Sequence, residues 1–269
     1  MNRISAAILA LALLLSIQTS AHEASQDQIA QLNSAILEDP EDPDLFLKRG
    51  AIYQEIGEWK KAAEDYDLAQ KFSTQENPDL DLARAGLLFD MGKFSAAQTE
   101  LNRCLKKYPT YLNAYLLRAR TFVRLGSFTA AISDYDIVLK SSSEPEYFVE
   151  RAEAWQSNGN IGAALSGLEE GIRKLGPIVS LELKAVDLEL EQKKFQSALN
   201  RIDFLVHHSA RKENWLLIKG NILEKAGRPK EAKQVYRKAL NAIASLPIEL
   251  RNTAAMKDLT KQLDALLLY

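Results

Sequence analysis

One short pattern recurs six times along this 269-residue chain and constrains its fold more than any other feature. Gly57, Gly92, Gly126, Gly159, Lys193 and Gly227 are separated by 35, 34, 33, 34 and 34 residues. Five residues after each stands an alanine: Ala62, Ala97, Ala131, Ala164, Ala198 and Ala232. Four further on comes a large residue: Tyr66, Leu101, Tyr135, Leu168, Ile202 and Tyr236. A repeat of this length marks stacked supersecondary units, none able to bury its apolar face alone. Local chemistry supports helices on both sides of each turn. Asp42-Pro43 and Asn77-Pro78 put a capping side chain directly before a proline suited to a first helical turn. Glycine at the turn supplies the positive φ that ends a helix without strain.

These residues resemble the tetratricopeptide repeat family, a helix-turn-helix of 34 residues. Numbered from Pro43, the first repeat offers Phe46, Gly50, Tyr53 and Ala62 at the fourth, eighth, eleventh and twentieth positions. Repeat three offers Tyr115, Ala119, Phe122 and Ala131, repeat four Phe148, Ala152, Trp155 and Ala164, and repeat six Leu216, Gly220, Leu223 and Ala232. Repeat two departs at Asp81, and repeat five carries Lys193 where glycine is expected. The first helix of repeat five fits better when shifted by one residue, on Leu181, Ala185 and Leu188. The resemblance implies an all-α fold, an α-α superhelix (solenoid) of about six helix-turn-helix repeats over 43–246. Small residues at the eighth and twentieth positions let the paired helices approach, and large ones at the eleventh and twenty-fourth fill the gaps between repeats. A half repeat at 22–42, with Leu32, Ala35 and Pro40, reads as an N-terminal cap. At 247–269, apolar residues from Leu250 through Met256, Leu259 and Leu263 to Leu267 predict one C-terminal capping helix over Ile248 to Leu268.

Residues 1–21 read as a targeting segment. Arg3 is followed by an apolar run from Ile4 to Ile17, then by Thr19 and Ala21 as small residues before a cut. That order is a secretory signal peptide, and the run is short for a membrane span. The expected location is outside the cytoplasm, in a bacterial periplasm. Membrane attachment enters only if the segment stays uncleaved.

Composition removes several function classes. Lys and Arg number 34 against 36 Asp and Glu, net −2, which lacks the basic footprint of a nucleic-acid binder. The single Cys104 excludes an internal disulfide and sits where the family places alanine, which implies a buried, inert thiol. No phosphate loop, nucleophile elbow or zinc-protease helix is present, so no catalysis and no cofactor is expected. Of three histidines, His22 would become the new N-terminus on cleavage, and its amine and imidazole together offer a metal-handling alternative. A self-assembling array is a further alternative. Arg49, Arg84, Arg118 and Arg151 share the seventh repeat position, and the expected reading is structural, with Asp65 and Asp134 partnering Arg49 and Arg118.

The resemblance also implies which positions face a ligand groove. The fifth is apolar throughout, as in Leu47, Leu82, Leu116 and Leu183. Acidic groove residues include Asp79, Asp90 and Glu153, whereas Arg120 and Arg124 form a basic island on repeat three. The Lys/Asn carboxylate clamp of some family members is missing, since Leu47 and Ala51 stand there. The expected partner is a protein or peptide segment, not nucleic acid, held by Leu82, Phe89, Leu116, Arg120, Val123, Arg124 and Glu153. The alternative for the two arginines is neutralisation of Asp90 and Glu153.

Overall fold

The computed structural model describes residues 23–268, which are helices joined by short turns, with no strand among the described residues. Residues 23–38 form α1. Pairs then follow: α2 (Pro43–Glu55) with α3 (Trp59–Phe72), α4 (Pro78–Asp90) with α5 (Phe94–Lys107), and α6 (Leu112–Arg124) with α7 (Phe128–Ser141). Three more pairs are α8 (Pro145–Ser157) with α9 (Ile161–Leu175), α10 (Val179–Glu191) with α11 (Phe195–His208), and α12 (Glu213–Lys225) with α13 (Pro229–Ala244). The chain ends in α14 (Ile248–Arg251) and α15 (Ala254–Leu268). It divides into two compact units, one up to Val138 and one from Leu139. The expected signal segment and His22 lie outside the described residues.

Helix starts and stops follow from local chemistry. Asp42 accepts a hydrogen bond from the Asp44 N–H at 2.8 Å, and Asn77 Oδ1 accepts from Asp79 and Leu80. The two helices so capped, α2 and α4, both begin with proline. At the six turns between paired helices the N–H after the turn residue returns to a carbonyl five residues back. Glu58 to Tyr53 at 2.8 Å, Ser127 to Phe122 at 2.8 Å and Lys194 to Glu189 at 2.7 Å are examples. This closure needs a left-handed residue. Five of the six turns use glycine, and Lys193 adopts φ 57° in the other.

Within each unit, packing runs from one pair into the next. In the first unit Phe46, Ala62 and Tyr66 of repeat one cluster with Leu80 and Leu87 of repeat two. Ala85, Leu101 and Cys104 cluster with Ala114 of repeat three. Burial pushes the Cys104 thiol pKa up, which disfavours the reactive thiolate. In the second unit Phe148, Ala164 and Leu168 cluster with Leu181, Ala185 and Leu188. The last repeat is closed by Met256, Leu259 and Leu263 of α15.

The single capping helix expected over Ile248 to Leu268 is interrupted. Thr253 Oγ1 donates to the Leu250 carbonyl at 2.7 Å and accepts from the Met256 N–H at 3.4 Å. A threonine hydroxyl satisfying backbone groups on both sides competes with helix continuation. Ile248 is left 57% exposed.

The shared arginine position is structural. Arg49 Nε and Nη2 donate to both carboxylate oxygens of Asp65 at 2.8 and 2.6 Å, and Nη1 reaches Asn33 Oδ1. Arg118 repeats this with Asp134 and Asn102. Arg84 instead bonds Asp67 on the preceding pair at 2.7 Å. Bidentate pairing with nearly buried Asp65 and Asp134 ties the two helices of one pair together, and the asparagine contact reaches the preceding helix.

Repeat five reverses the arrangement. Ala185 takes the arginine slot, and Arg201 takes the second-helix slot held by Asp65 and Asp134 elsewhere. Leu181, Ala185 and Leu188 are 0% exposed, as the shifted register requires. Glu182 and Glu189 then fall where Phe46 and Tyr53 stand in repeat one, and both are buried. Arg201 donates to Glu189 at 2.9 Å, to Glu182 at 2.7 Å and to Glu169. Two charged residues replace two large ones, and one guanidinium holds them in place.

Candidate functional site

In the first unit the first helices of repeats two and three, α4 and α6, enclose a shallow hollow of about 360 Å³. Asp79, Leu82, Ala83 and Gly86 line it from α4, and Asn113, Leu116, Leu117 and Arg120 from α6. Each set follows the spacing i, i+3, i+4, i+7, one face of a helix. The sets occupy identical positions of the two repeats: second, fifth, sixth and ninth. One unit of sequence, repeated, therefore builds both walls.

The floor is apolar, from Leu82, Ala83, Leu116 and Leu117, while Asn113, Asp79 and Arg120 bring an amide, a carboxylate and a guanidinium. Asp79 is anchored: its carboxylate accepts from the Tyr111 hydroxyl, and its N–H bonds Asn77. Burial, then that carboxylate, pushes the Tyr111 pKa up, so the phenol stays a donor at neutral pH. A Cβ on Gly86 would meet Gln54 Nε2 at 3.5 Å and Leu117 at 3.9 Å, so the glycine keeps the wall low without being sterically required. An amide with donor and acceptor beside a row of aliphatic side chains suits an extended peptide, whose backbone needs the first and whose side chains need the second.

Of the expected groove residues, Leu82, Leu116 and Arg120 meet in this hollow. Phe89 and Arg124 belong to a separate cluster. The Phe89 and Phe94 rings make an edge contact at 5.3 Å, and the Arg124 guanidinium lies over Phe94 at 4.5 Å and over Phe89 at 5.9 Å. Val123 is half-buried on α6 and does not line the hollow. Glu153 is exposed on α8 in the second unit, where it accepts from Lys184 at 3.1 Å. Asp90 accepts from Gln54 at 2.5 Å. Sequence reasoning missed Ala83 and Leu117. Their signal was available, because the sixth position shares a helix face with the second, fifth and ninth.

Among the described residues no group of three or more His, Cys, Asp or Glu is placed to hold a metal ion. Among the same residues no helix is long and apolar enough to cross a membrane.

Comparison with known proteins gives one consistent family. The profile described as tetratricopeptide repeat matches residues 82–144, 116–177 and 183–247. Tetratricopeptide repeat protein 16 of Homo sapiens is 25% identical over 203 residues, 71% of this chain but 20% of that protein. The chain thus spans about a fifth of this relative's length. Among solved structures, the C-terminal part of a repeat-containing protein from Cytophaga hutchinsonii aligns with TM-score 0.67 at 15% identity, over 89% of this chain and 95% of that one. A tetratricopeptide repeat protein from Parabacteroides merdae aligns with TM-score 0.57 at 19% identity, over 94% and 97%. These structures share the stacked helix-pair fold, and the profile spans more than half of the sequence, so the chain belongs to the tetratricopeptide repeat family.

Proposed function

We propose that this protein is a non-catalytic scaffold that holds an extended segment of another protein in the hollow between α4 and α6. Family membership supports the coarser statement, a protein-interaction scaffold. The observation that carries the finer one is the matched wall: the same four positions of two consecutive repeats converge on an apolar floor with polar groups around it. Leucine side chains of the partner would lie on Leu82, Leu116 and Leu117. Asn113 would bond its backbone, and Arg120 would take a carboxylate.

Selection of peptides from a displayed random library on the purified protein tests this. Selected peptides should lose at least tenfold in affinity, about 1.4 kcal/mol, on a Leu82→Glu/Leu116→Glu variant of unchanged melting temperature. Equal affinity for the variant, or no selected peptide, would sink the reading.

The same proposal places the scaffold outside the cytoplasm of a bacterium. It rests on the order of charge, apolar run and small residues in residues 1–21. N-terminal sequencing of the protein from cell fractions should find a start at or near His22. Met1 retained in a membrane fraction would overturn it.

A further inference from the structure

Charge is unevenly distributed along this chain. From residue 23 to 47 there are seven Asp or Glu and no Lys or Arg. From residue 229 to the last residue there are seven Lys or Arg against four Asp or Glu, in a chain of net −2. Each end carries one exposed feature that the other complements.

At the basic end, α13 and α15 border a hollow of about 450 Å³. Leu240, Ile243 and Ala244 form an apolar floor, and Arg251, Lys257 and Lys261 stand around it with no carboxylate in the lining. Arg251 is held in place by a 3.0 Å bond from Nη1 to the Ala244 carbonyl. Lys257 and Lys261 are one helical turn apart on the same wall. The occupant that matches is an aliphatic side chain flanked by several carboxylates.

At the acidic end, Leu37 is 84% exposed on the last turn of α1. Glu38, Asp39 and Glu41 follow it, all exposed, with Pro40 between them. The tip is ordered: the Asp39 N–H bonds the Ala35 carbonyl at 2.9 Å, and Asp42 is committed to capping α2. Proline and these bonds reduce the entropy lost when such a tip docks.

We propose that the α13/α15 hollow receives the tip at residues 37–41 of a second copy of this chain. Leu37 covers the apolar floor, and the tip carboxylates meet Arg251, Lys257 and Lys261. Tip and hollow are different surfaces, so the contact is heterologous and each copy keeps one free tip and one free hollow for further growth. The charges lie at an exposed rim, so the association weakens in about 0.5 M salt.

Sedimentation velocity of the full chain tests the proposal. The wild type should grow in size from micromolar to sub-millimolar concentration and revert towards monomer in high salt. Lys257→Glu/Lys261→Glu removes the hollow's charge and Leu37→Asp removes the tip's apolar group. Each alone should associate at least tenfold more weakly while melting as the wild type does, because all three side chains are exposed. An equimolar mixture should form a heterodimer and nothing larger, since the first variant keeps its tip and the second its hollow. A wild type monomeric throughout, either variant assembling like the wild type, or a mixture that stays monomeric would overturn the proposal. So would monomers whose Lys257 and Lys261 retain an unrelated acidic peptide or anionic vesicles, which would name another occupant.

Discussion

A Cβ added to Gly50 would fall 2.6 Å from Cε1 of Tyr66. The tyrosine ring, 1% exposed, occupies the space against α2 that the missing side chain leaves, and its hydroxyl bonds Gln54 Oε1 at 2.8 Å. Gly220 and Tyr236 stand in the same relation at the eighth and twenty-fourth positions of repeat six. Gly50→Ala is expected to destabilise by about 1–3 kcal/mol through overpacking, although alanine is the better helix former. Gly86→Ala, where the new Cβ meets only ordinary contacts, should be neutral or stabilising by up to about 1 kcal/mol. Denaturant midpoints of the two variants check both signs.

Lys193 is exposed and stands at φ 57° in a turn whose five counterparts are glycines. Among the described residues its side chain makes no ion pair that would justify the conformation. Lys193→Gly should stabilise by about 0.5–1 kcal/mol, the cost of a left-handed non-glycine residue less glycine's larger unfolded-state entropy. A lowered midpoint would mean that Lys193 contributes something the turn geometry does not reveal.

This turn shows what the sequence makes legible. The period, the helix pairs and the turn slots can all be read from residue spacing, because tight turns and close helix contacts tolerate few residue types. Repeat five was ambiguous for a physical reason. Leu181, Ala185 and Leu188 give one apolar face, while the turn at Lys193 fixes a register that puts Glu182 and Glu189 inside. Only three-dimensional pairing with Arg201, from the next helix, makes both true. The break at Thr253 was likewise hidden, since apolar spacing continues across it and the competing hydroxyl bonds are local. In the hollow, carrying over groove positions found Leu82, Leu116 and Arg120. It grouped Arg124 with Arg120, whereas the structure puts Arg124 over Phe94 and Phe89, because spacing four apart on a helix says nothing about aromatic rings on neighbouring ones.

Burial pushes the Glu189 carboxyl pKa up, with Arg201 pulling the other way. Among the described residues one of its oxygens has no hydrogen-bond partner, nor does Oε1 of Gln192, the residue that caps the end of α10. An acid with a higher pKa folded than unfolded holds its proton more tightly in the folded chain. Its unfavourable contribution is therefore complete above the raised pKa and is relieved as pH falls towards the unfolded value. Glu189→Gln should raise the melting temperature at neutral pH and remove the part of the acid-side gain due to this group. Glutamine keeps an acceptor for Arg201 and adds a donor near Gln192. Arg201→Met, by contrast, leaves buried Glu182 and Glu189 without their cation and should cost about 3–5 kcal/mol. Melting curves at several pH values separate the two.

Arg120 and Arg124 share one helix but not one task. Arg120 lines the α4/α6 hollow at the ninth repeat position, whereas the Arg124 guanidinium lies over Phe94 and Phe89. A cation over an aromatic face at an exposed site contributes about 0.5–1 kcal/mol. Arg124→Ala should therefore lower stability by about that amount and leave the affinity of a selected peptide within twofold or so. Arg120→Ala removes the guanidinium that would meet a peptide carboxylate and should weaken the same peptide about tenfold, or 1.4 kcal/mol. Since that contribution is electrostatic and partly exposed, the difference between wild type and Arg120→Ala should shrink as salt rises. Fluorescence anisotropy of a labelled selected peptide at two salt concentrations measures it. If Arg124→Ala loses the peptide and Arg120→Ala keeps it, the ligand lies along the Phe89 and Phe94 cluster instead, and the hollow is only a gap between packed helices.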